Sequence, residues 1–252
     1  MTERDFMASH YSARADAYVQ SSVHASGEDL DEMEAVLSNL RARNVLDLGC
    51  GGGHVSYRAS KYADRIVACD VTPSMLDAVA KTAAEKELKN IVTQLARAEA
   101  LPFEPGNFDM VLCRFTAHHW SDFSAGLREA RRVIQPRGLA VFIDTVAPAK
   151  RVLDTHLQAI ELLRDPSHVR NYAVAEWCAM LAEADFALQR CTVRRLRMEF
   201  KSWTERTRTP VETAEAILRL QQGAPEIVRQ YFNIARDGSF NLETATMVVE
   251  AV

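Results

Sequence analysis

The feature that most constrains this chain of 252 residues is a short apolar segment that runs directly into a glycine-rich turn. Residues 45–53 read Val-Leu-Asp-Leu-Gly-Cys-Gly-Gly-Gly, and a second apolar segment ends at Asp70, 21 residues after Gly49. Because glycine has no Cβ, it permits a sharp turn from strand to helix and a close approach of the backbone to a ligand. The pattern therefore predicts a nucleoside ligand above the turn, with the Asp70 carboxylate accepting both ribose hydroxyls.

Two other classes of glycine-rich turn fit the residues less well. In the dinucleotide-binding pattern G-x-G-x-x-G the third glycine lets helix pack on strand, and His54 stands at that position. A phosphate-binding loop of the Walker type is also excluded, since no Gly-Lys-Ser/Thr follows. Asp47, two residues before Gly49, places a carboxylate near the turn, where it can attract a ligand's ammonium group. Asp70 alone does not distinguish a dinucleotide from a sulfonium nucleoside.

Four motifs in register give the chain a resemblance to the class I S-adenosylmethionine-dependent methyltransferases, in particular to the ubiquinone/menaquinone-biosynthesis branch. They cover roughly residues 40–145 and comprise residues 45–53, 68–76, 98–103 with 107–109, and 129–134 with 136–138. Two positions depart from the family's pattern. Arg97 stands where many relatives have an acidic residue, and Arg137 stands where Gly-Gly is usual.

The resemblance implies S-adenosylmethionine as cofactor, S-adenosylhomocysteine as product, and a role for each matching residue. Asp47, Gly49, Cys50 and Gly51 would surround the methionine part, Asp70 the ribose, Val71 the adenine, and Ala98 and Glu99 the adenine edge. Arg114 would pair with the cofactor's carboxylate or an anionic substrate, or else with the helix that follows it. Tyr11 and Tyr18 resemble aromatic positions that close over the cofactor, although their seven-residue spacing equally fits the packing face of a helix.

Apolar runs alternate with amphipathic stretches, which predicts an α/β fold of the doubly wound, Rossmann-like kind. Strands are predicted at 44–48, 65–70, 91–95, 108–114, 138–144, 187–200 and 243–251, and helices at 28–41, 53–63, 73–88, 122–135, 150–164, 173–185, 210–222 and 224–235. Thr72 before Pro73 predicts a helix start with a hydroxyl N-cap. The resemblance implies a mostly parallel seven-stranded sheet with an antiparallel last strand, helices on both faces and a small helical cap.

The same reasoning divides the chain into an N-terminal lid segment at 1–27 and a methyltransferase domain at 28–252, with the cap inserted at about 203–236. A net charge of −4 gives no basic field for nucleic acid, and no run of about 18 apolar residues indicates a membrane span. Five widely spaced cysteines fit reduced thiols in the cytoplasm, and no spacing of ligands indicates a metal.

Methyl transfer depends mostly on positioning and on the exclusion of water, so few residues need to react. His118 and His119 follow the fourth predicted strand, where the methyl acceptor should lie, and His118 is the first choice for a general base, His119 the second. The alternative is one histidine bonded to backbone and the other facing solvent. Further candidates for binding the substrate are His24, His168, Arg170, Tyr172 and Trp203.

The predicted function is methyl transfer to a small molecule, such as a quinone precursor or an aromatic or heterocyclic metabolite. Carbon, oxygen and nitrogen acceptors all remain open. Two alternatives from other classes are a non-catalytic module that binds S-adenosylmethionine and an NAD-dependent dehydrogenase.

Overall fold

Seven strands form one sheet in the part of the chain that the computed structural model describes, residues 27–40 and 42–252. The strands are β1 (Asn44–Leu48), β2 (Arg65–Asp70), β3 (Ile91–Leu95), β4 (Phe108–Arg114), β5 (Ile134–Val146), β6 (Phe186–Met198) and β7 (Phe240–Ala251). Their order across the sheet is β3-β2-β1-β4-β5-β7-β6. The first five run parallel, and β7 is antiparallel to both β5 and β6.

Nine α-helices and one short 3₁₀ turn lie in the same described part. They are α1 (Glu28–Leu40), α2 (His54–Ala59), α3 (Pro73–Glu85), α4 (Phe123–Val133), α5 (Arg151–Arg164), α6 (Val174–Glu183), α7 (Phe200–Arg206), α8 (Val211–Gln222) and α9 (Glu226–Phe232), with the 3₁₀ turn at Ala117–His119. None of these helices is long and apolar enough to cross a membrane.

Alternate residues of the parallel strands point to opposite faces, and each face is covered by helices. In β1, Val45 packs in one cluster with Leu30 of α1 and Val55 of α2. Leu46 lies in the cluster on the other face with Leu127 of α4 and Trp177 of α6. Burial of both faces explains why these strands read as continuous apolar runs, and it confirms the predicted mostly parallel sheet with an antiparallel last strand.

A third apolar cluster joins α5 to the three helices that lie between β6 and β7. Leu157 and Ile160 of α5 pack with Trp203 of α7, Ile217 of α8 and Phe232 of α9. These helices begin at Phe200, three residues before the predicted start of the cap. They pack against α5, the helix that follows β5.

One local prediction was wrong. Helix α3 begins at Pro73 as expected, but the Thr72 hydroxyl makes no capping hydrogen bond. Instead the Thr72 amide donates to Asp70 Oδ1 at 2.9 Å, and the Thr72 carbonyl accepts from the amides of Met75 and Leu76. The carboxylate that ends β2 therefore organises the start of the next helix. Tyr11, Tyr18 and His24 lie outside the described residues, so their predicted roles stay predictions.

Candidate cofactor and acceptor site

A cavity of about 500 Å³ opens at the carboxyl edge of the parallel strands. Ligands of open α/β sheets bind at this edge, because the loops that follow the strands leave a crevice there. One side of the cavity is lined by residues within 27–29, 47–55, 70–75 and 96–99. The other side is lined by Thr145 and by residues within 161–171, 194–206 and 242–244, and residues within 114–120 line the part between them.

The glycine-rich turn has the backbone conformation for which glycine is needed. Gly49 and Gly51 have φ of 73° and 48°, in the left-handed region. A Cβ on Gly49 would lie 2.2 Å from Thr116 Oγ1, so this position has no room for a side chain. A Cβ on Gly51 would meet nothing within 4 Å and would project into open space. Gly51 also lines the cavity, so the missing side chain leaves room for a ligand against the backbone.

Asp70 lies at the end of β2 with its carboxylate bridging two backbone amides. The Gly51 amide donates to Oδ2 and the Thr72 amide donates to Oδ1, each at 2.9 Å. Burial raises the pKa of Asp70, although both hydrogen bonds oppose that rise. Each carboxylate oxygen retains a second lone pair, so the group can also accept hydroxyl donors from a ligand in the cavity.

Asp47 is buried at the floor of the turn with one oxygen satisfied and one without a partner. The Ser56 hydroxyl donates to Oδ2 at 2.6 Å, whereas Oδ1 has no hydrogen-bond partner among the described residues. Burial raises the pKa of Asp47 to about 7. A buried carboxylate with an unpaired oxygen beside a cavity is suited to a cationic ligand, since a cation would offset the cost of its charge.

Two of the remaining residues predicted to bind the cofactor hold neighbouring segments in place. Glu99 Oε1 accepts from the amide and hydroxyl of Ser121, both at 2.9 Å, and Arg97 Nε lies 3.4 Å from Oε2. Burial would raise the pKa of Glu99, but these hydrogen bonds and Arg97 outweigh it and lower the pKa. Arg114 donates to Asp29 at 2.6 Å, a contact that joins the end of β4 to α1.

His118 lines the cavity and contacts an acidic residue of β5. Its Nδ1 lies 2.6 Å from Oδ1 of Asp144, near the end of β5, and its backbone amide donates to Oδ2 at 3.3 Å. Burial lowers the pKa of His118, but the Asp144 carboxylate outweighs it, and the pKa lies above its ordinary value. His119 also lines the cavity, and burial together with adjacent His118 lowers the pKa of His119 to about 3.

Comparison with known proteins identifies the family. Residues 46–142 match the family model described as a methyltransferase domain. The uncharacterized protein YafE of Escherichia coli is 42% identical over 192 residues, 76% of this chain and 93% of its own length. The uncharacterized methyltransferase YcgJ of Bacillus subtilis is 34% identical over 224 residues, 89% of this chain and 88% of its own length. The chain belongs to the class I S-adenosylmethionine-dependent methyltransferases.

A solved structure and one further relative extend the match. The solved structure of YcgJ superposes with a TM-score of 0.85 and covers 88% of this chain and 97% of its own. The demethylmenaquinone methyltransferase of Lactococcus lactis is 29% identical over 163 residues, 57% of this chain and 64% of its own length.

The residues around the turn fit the cofactor of this methyltransferase. The unpaired Asp47 Oδ1 and the open space at Gly51 are complementary to a cationic ligand that lies against the backbone. When bound, S-adenosylmethionine supplies a methyl group on a sulfonium. We call the side of the cavity drawn from residues 27–29, 47–55, 70–75 and 96–99 the cofactor half, and the opposite side the acceptor half. Val71, Ala98 and Cys50 also line the cofactor half.

Of the residues predicted to bind the substrate of the methyltransferase, the structure brings only Trp203 to the cavity among those it describes. His168 Nε2 lies 2.8 Å from Gln158 Oε1, and Arg170 pairs with Asp154 of α5 at 3.0 Å. Tyr172 packs on Phe123, with 4.3 Å between ring centroids. These three side chains are not among the residues that line the cavity, and their predicted role in binding the substrate stays a prediction.

Sequence reasoning missed Asp144, the partner of His118, and several residues of the acceptor half. Asp144 could have been noticed, because it is an acid at the carboxyl end of a predicted strand. Arg164, Asn171 and Arg206 line the cavity, but no motif marks them. Their positions depend on how α5 and α7 pack, which the sequence pattern does not reveal.

Proposed function

We propose that this methyltransferase transfers its methyl group to a small-molecule acceptor and that His118 accepts the acceptor's proton. The observation that supports this is the 2.6 Å contact between His118 Nδ1 and Asp144 Oδ1 at the boundary of the two halves. Bound S-adenosylmethionine would supply the methyl group and retain the electrons of the S–C bond as its product. His118 would accept the proton that the acceptor atom loses as it is methylated.

Asp144 acts in this proposal as a positioning residue. Its carboxylate can only accept from Nδ1–H, which leaves the lone pair of the imidazole on Nε2. By favouring the charged form of His118, Asp144 also makes the imidazole a stronger base. His119 is much less suited, because a group with a pKa of about 3 takes up a proton poorly at neutral pH.

The acceptor that fits best is a quinone precursor or another aromatic or heterocyclic metabolite. The cavity of about 500 Å³ must hold the cofactor as well, so the acceptor is of metabolite size. Trp203 lines the acceptor half with its ring buried. The demethylmenaquinone methyltransferase among the relatives supports an acceptor of this class.

We place the enzyme in the cytoplasm and expect no nucleic-acid partner. All five cysteines are free thiols, a state that a reducing compartment maintains. The net charge of −4 provides no general attraction for a polyanion.

The test measures cofactor binding and methyl transfer separately in the wild type and in His118→Ala. Calorimetric titration with S-adenosylmethionine should give the same affinity for both proteins. Transfer of a labelled methyl group into a metabolite extract should fall by roughly 10²- to 10⁴-fold, the usual contribution of a general base. His119→Gln is the matched control and should retain most of the activity.

Each alternative has its own outcome in this test. Cofactor binding without transfer into any extract would indicate a non-catalytic binding module. Tight binding of NAD in place of S-adenosylmethionine would indicate a dehydrogenase. Full activity of His118→Ala would show that positioning alone accounts for catalysis.

A further inference from the structure

Asn171 is a buried polar residue of the acceptor half whose side-chain amide is unpaired. It lines the cavity and is 1% exposed, and neither Nδ2 nor Oδ1 has a hydrogen-bond partner among the described residues. Buried polar groups in folded proteins are nearly always paired, so an unpaired amide beside a cavity points to a ligand. We propose that Asn171 binds the methyl acceptor through its side-chain amide. This inference rests on the proposed function and specifies the substrate class of the same site.

The backbone on either side of Asn171 is bonded to His118 and to the end of β5. The residue before it, Arg170, donates its amide to the His118 carbonyl at 3.1 Å. The carbonyl of the residue after it, Tyr172, accepts from the amide of Ala147, which directly follows β5, at 3.0 Å. Asn171 therefore lies on a segment that is tied directly to His118, the proposed base.

Gln158 of α5 fixes the backbone of Asn171 and does not use its side chain. Gln158 Oε1 accepts from the Asn171 backbone amide at 3.0 Å, and Gln158 Nε2 donates to the Asn171 carbonyl at 2.7 Å. A binding residue that is held in place by other groups keeps its own donors and acceptors for the ligand. The two hydrogen bonds therefore position the Asn171 side chain without pairing it.

A side-chain amide with both ends unpaired is complementary to one kind of ligand group. Its Oδ1 accepts a hydrogen bond and its Nδ2 donates, and the two atoms lie side by side on one carbon. A carbonyl oxygen next to an N–H or O–H, as in a lactam, satisfies both atoms at once. A ligand with only one of the two groups would leave half of the buried amide unpaired, which lowers affinity. We therefore assign a carbonyl next to an N–H or O–H to the acceptor.

A second unpaired donor lines the same half of the cavity. Trp203 is 1% exposed, and its Nε1 has no hydrogen-bond partner among the described residues. A buried indole N–H usually finds a partner, so this group also points to an oxygen or nitrogen of the ligand. Leu196, Met198 and Leu242 supply apolar surface beside it. The acceptor half thus fits an apolar body that carries a few polar groups at fixed positions.

The first test measures the binding of two matched small probes. The lactam 2-pyridone presents a ring carbonyl next to an N–H, and its N-methyl derivative keeps the carbonyl without the donor. Binding of each probe is measured by ligand-observed NMR with S-adenosylhomocysteine in the cofactor half. We expect the wild type to bind 2-pyridone roughly tenfold more tightly, the value of a well-formed hydrogen bond. Asn171→Leu should bind the two probes alike.

The second test measures acceptor use and thermal stability in the same variants. Asn171→Leu should raise the apparent KM for a metabolite extract, read from its dilution series, by roughly tenfold and leave the affinity for S-adenosylmethionine unchanged. Because this variant removes an unpaired buried amide, its melting temperature should not fall. The matched control is Asn90→Leu, since Asn90 Nδ2 is paired with the carbonyls of Ser60 and Ala63 at 2.8 and 2.9 Å. It should lower the melting temperature and leave the KM unchanged.

The possible failures are distinguishable. Equal binding of the two probes to the wild type, or no binding of 2-pyridone, would overturn the assigned ligand group. A lower melting temperature in Asn171→Leu with unchanged acceptor use would show that Asn171 has only a structural role, and methyl transfer to a small molecule would stand. Label transfer by none of the proteins would overturn the proposed function itself.

Discussion

The cofactor half and the acceptor half of the cavity are built in different ways. The cofactor half consists of the start of α1 and of short segments at the ends of β1, β2 and β3, with its central turn contained in residues 47–55. The acceptor half is assembled from β5, α5, β6, α7 and β7, across about a hundred residues of sequence. Local backbone geometry therefore defines the first half, and long-range packing defines the second.

The charge of each half follows the same division. Carboxylates at the ends of β1 and β2 line the cofactor half, whereas arginines from α5, β6 and α7 line the acceptor half. His118 and Asp144 lie where the two meet. The comparison implies that changes in one half should alter one ligand and spare the other.

The largest expected effect comes from Gly51→Val. A side chain there would enter the open space of the cofactor half and would have to adopt a φ of 48°, a conformation that costs a residue with a Cβ roughly 1–2 kcal/mol. Calorimetry should show at least about a hundredfold loss of affinity for S-adenosylmethionine, equivalent to roughly 3 kcal/mol.

A matched control separates the effect of filling the cofactor half with a side chain from the effect of backbone strain. Gly106 has a φ of 67°, and a Cβ there would have its nearest neighbour at 3.9 Å, so Gly106→Val imposes similar strain away from the cavity. It should lower thermal stability as Gly51→Val does and leave cofactor affinity unchanged. Equal loss of affinity in both variants would mean that the turn is not the cofactor cradle.

The two halves also differ in how far they could be predicted. Strand and helix positions through residue 146 and the lining residues Asp47, Gly51 and Asp70 follow from patterns within a few residues of one another. The contacts of His168 with Gln158 and of Arg170 with Asp154 depend on how the 165–172 segment packs on α5, which no local pattern in the sequence predicts. The unpaired amide of Asn171 likewise leaves no trace in the sequence.

An intermediate effect is expected from Asp144→Asn, at the boundary of the halves. Asp144 raises the pKa of His118 against burial, so the variant's imidazole should have a pKa below its ordinary value. The acid limb of the pH–rate profile should move to lower pH, because the neutral imidazole persists there. The rate above that limb should fall by about tenfold for each unit of basicity lost, if proton uptake limits turnover. An unshifted limb with a lower rate would leave Asp144 with a purely structural role.

The smallest expected effect concerns pH and the affinity for the cofactor. Because burial raises the pKa of Asp47 to about 7, the carboxylate is mostly protonated at pH 6 and becomes charged as the pH rises. Only the charged form attracts the cationic cofactor strongly, so the apparent affinity should rise by about fivefold between pH 6 and pH 7. The affinity of Asp47→Asn should be nearly constant over that range, as measured by calorimetry.

The cofactor's own amino group, with an ordinary pKa near 7.7–8.0, titrates identically in both experiments, so the difference between the two proteins isolates Asp47. Parallel pH dependence in the two proteins would remove Asp47 from the recognition of the cofactor's charge, and the cofactor half would then owe its selectivity to shape alone.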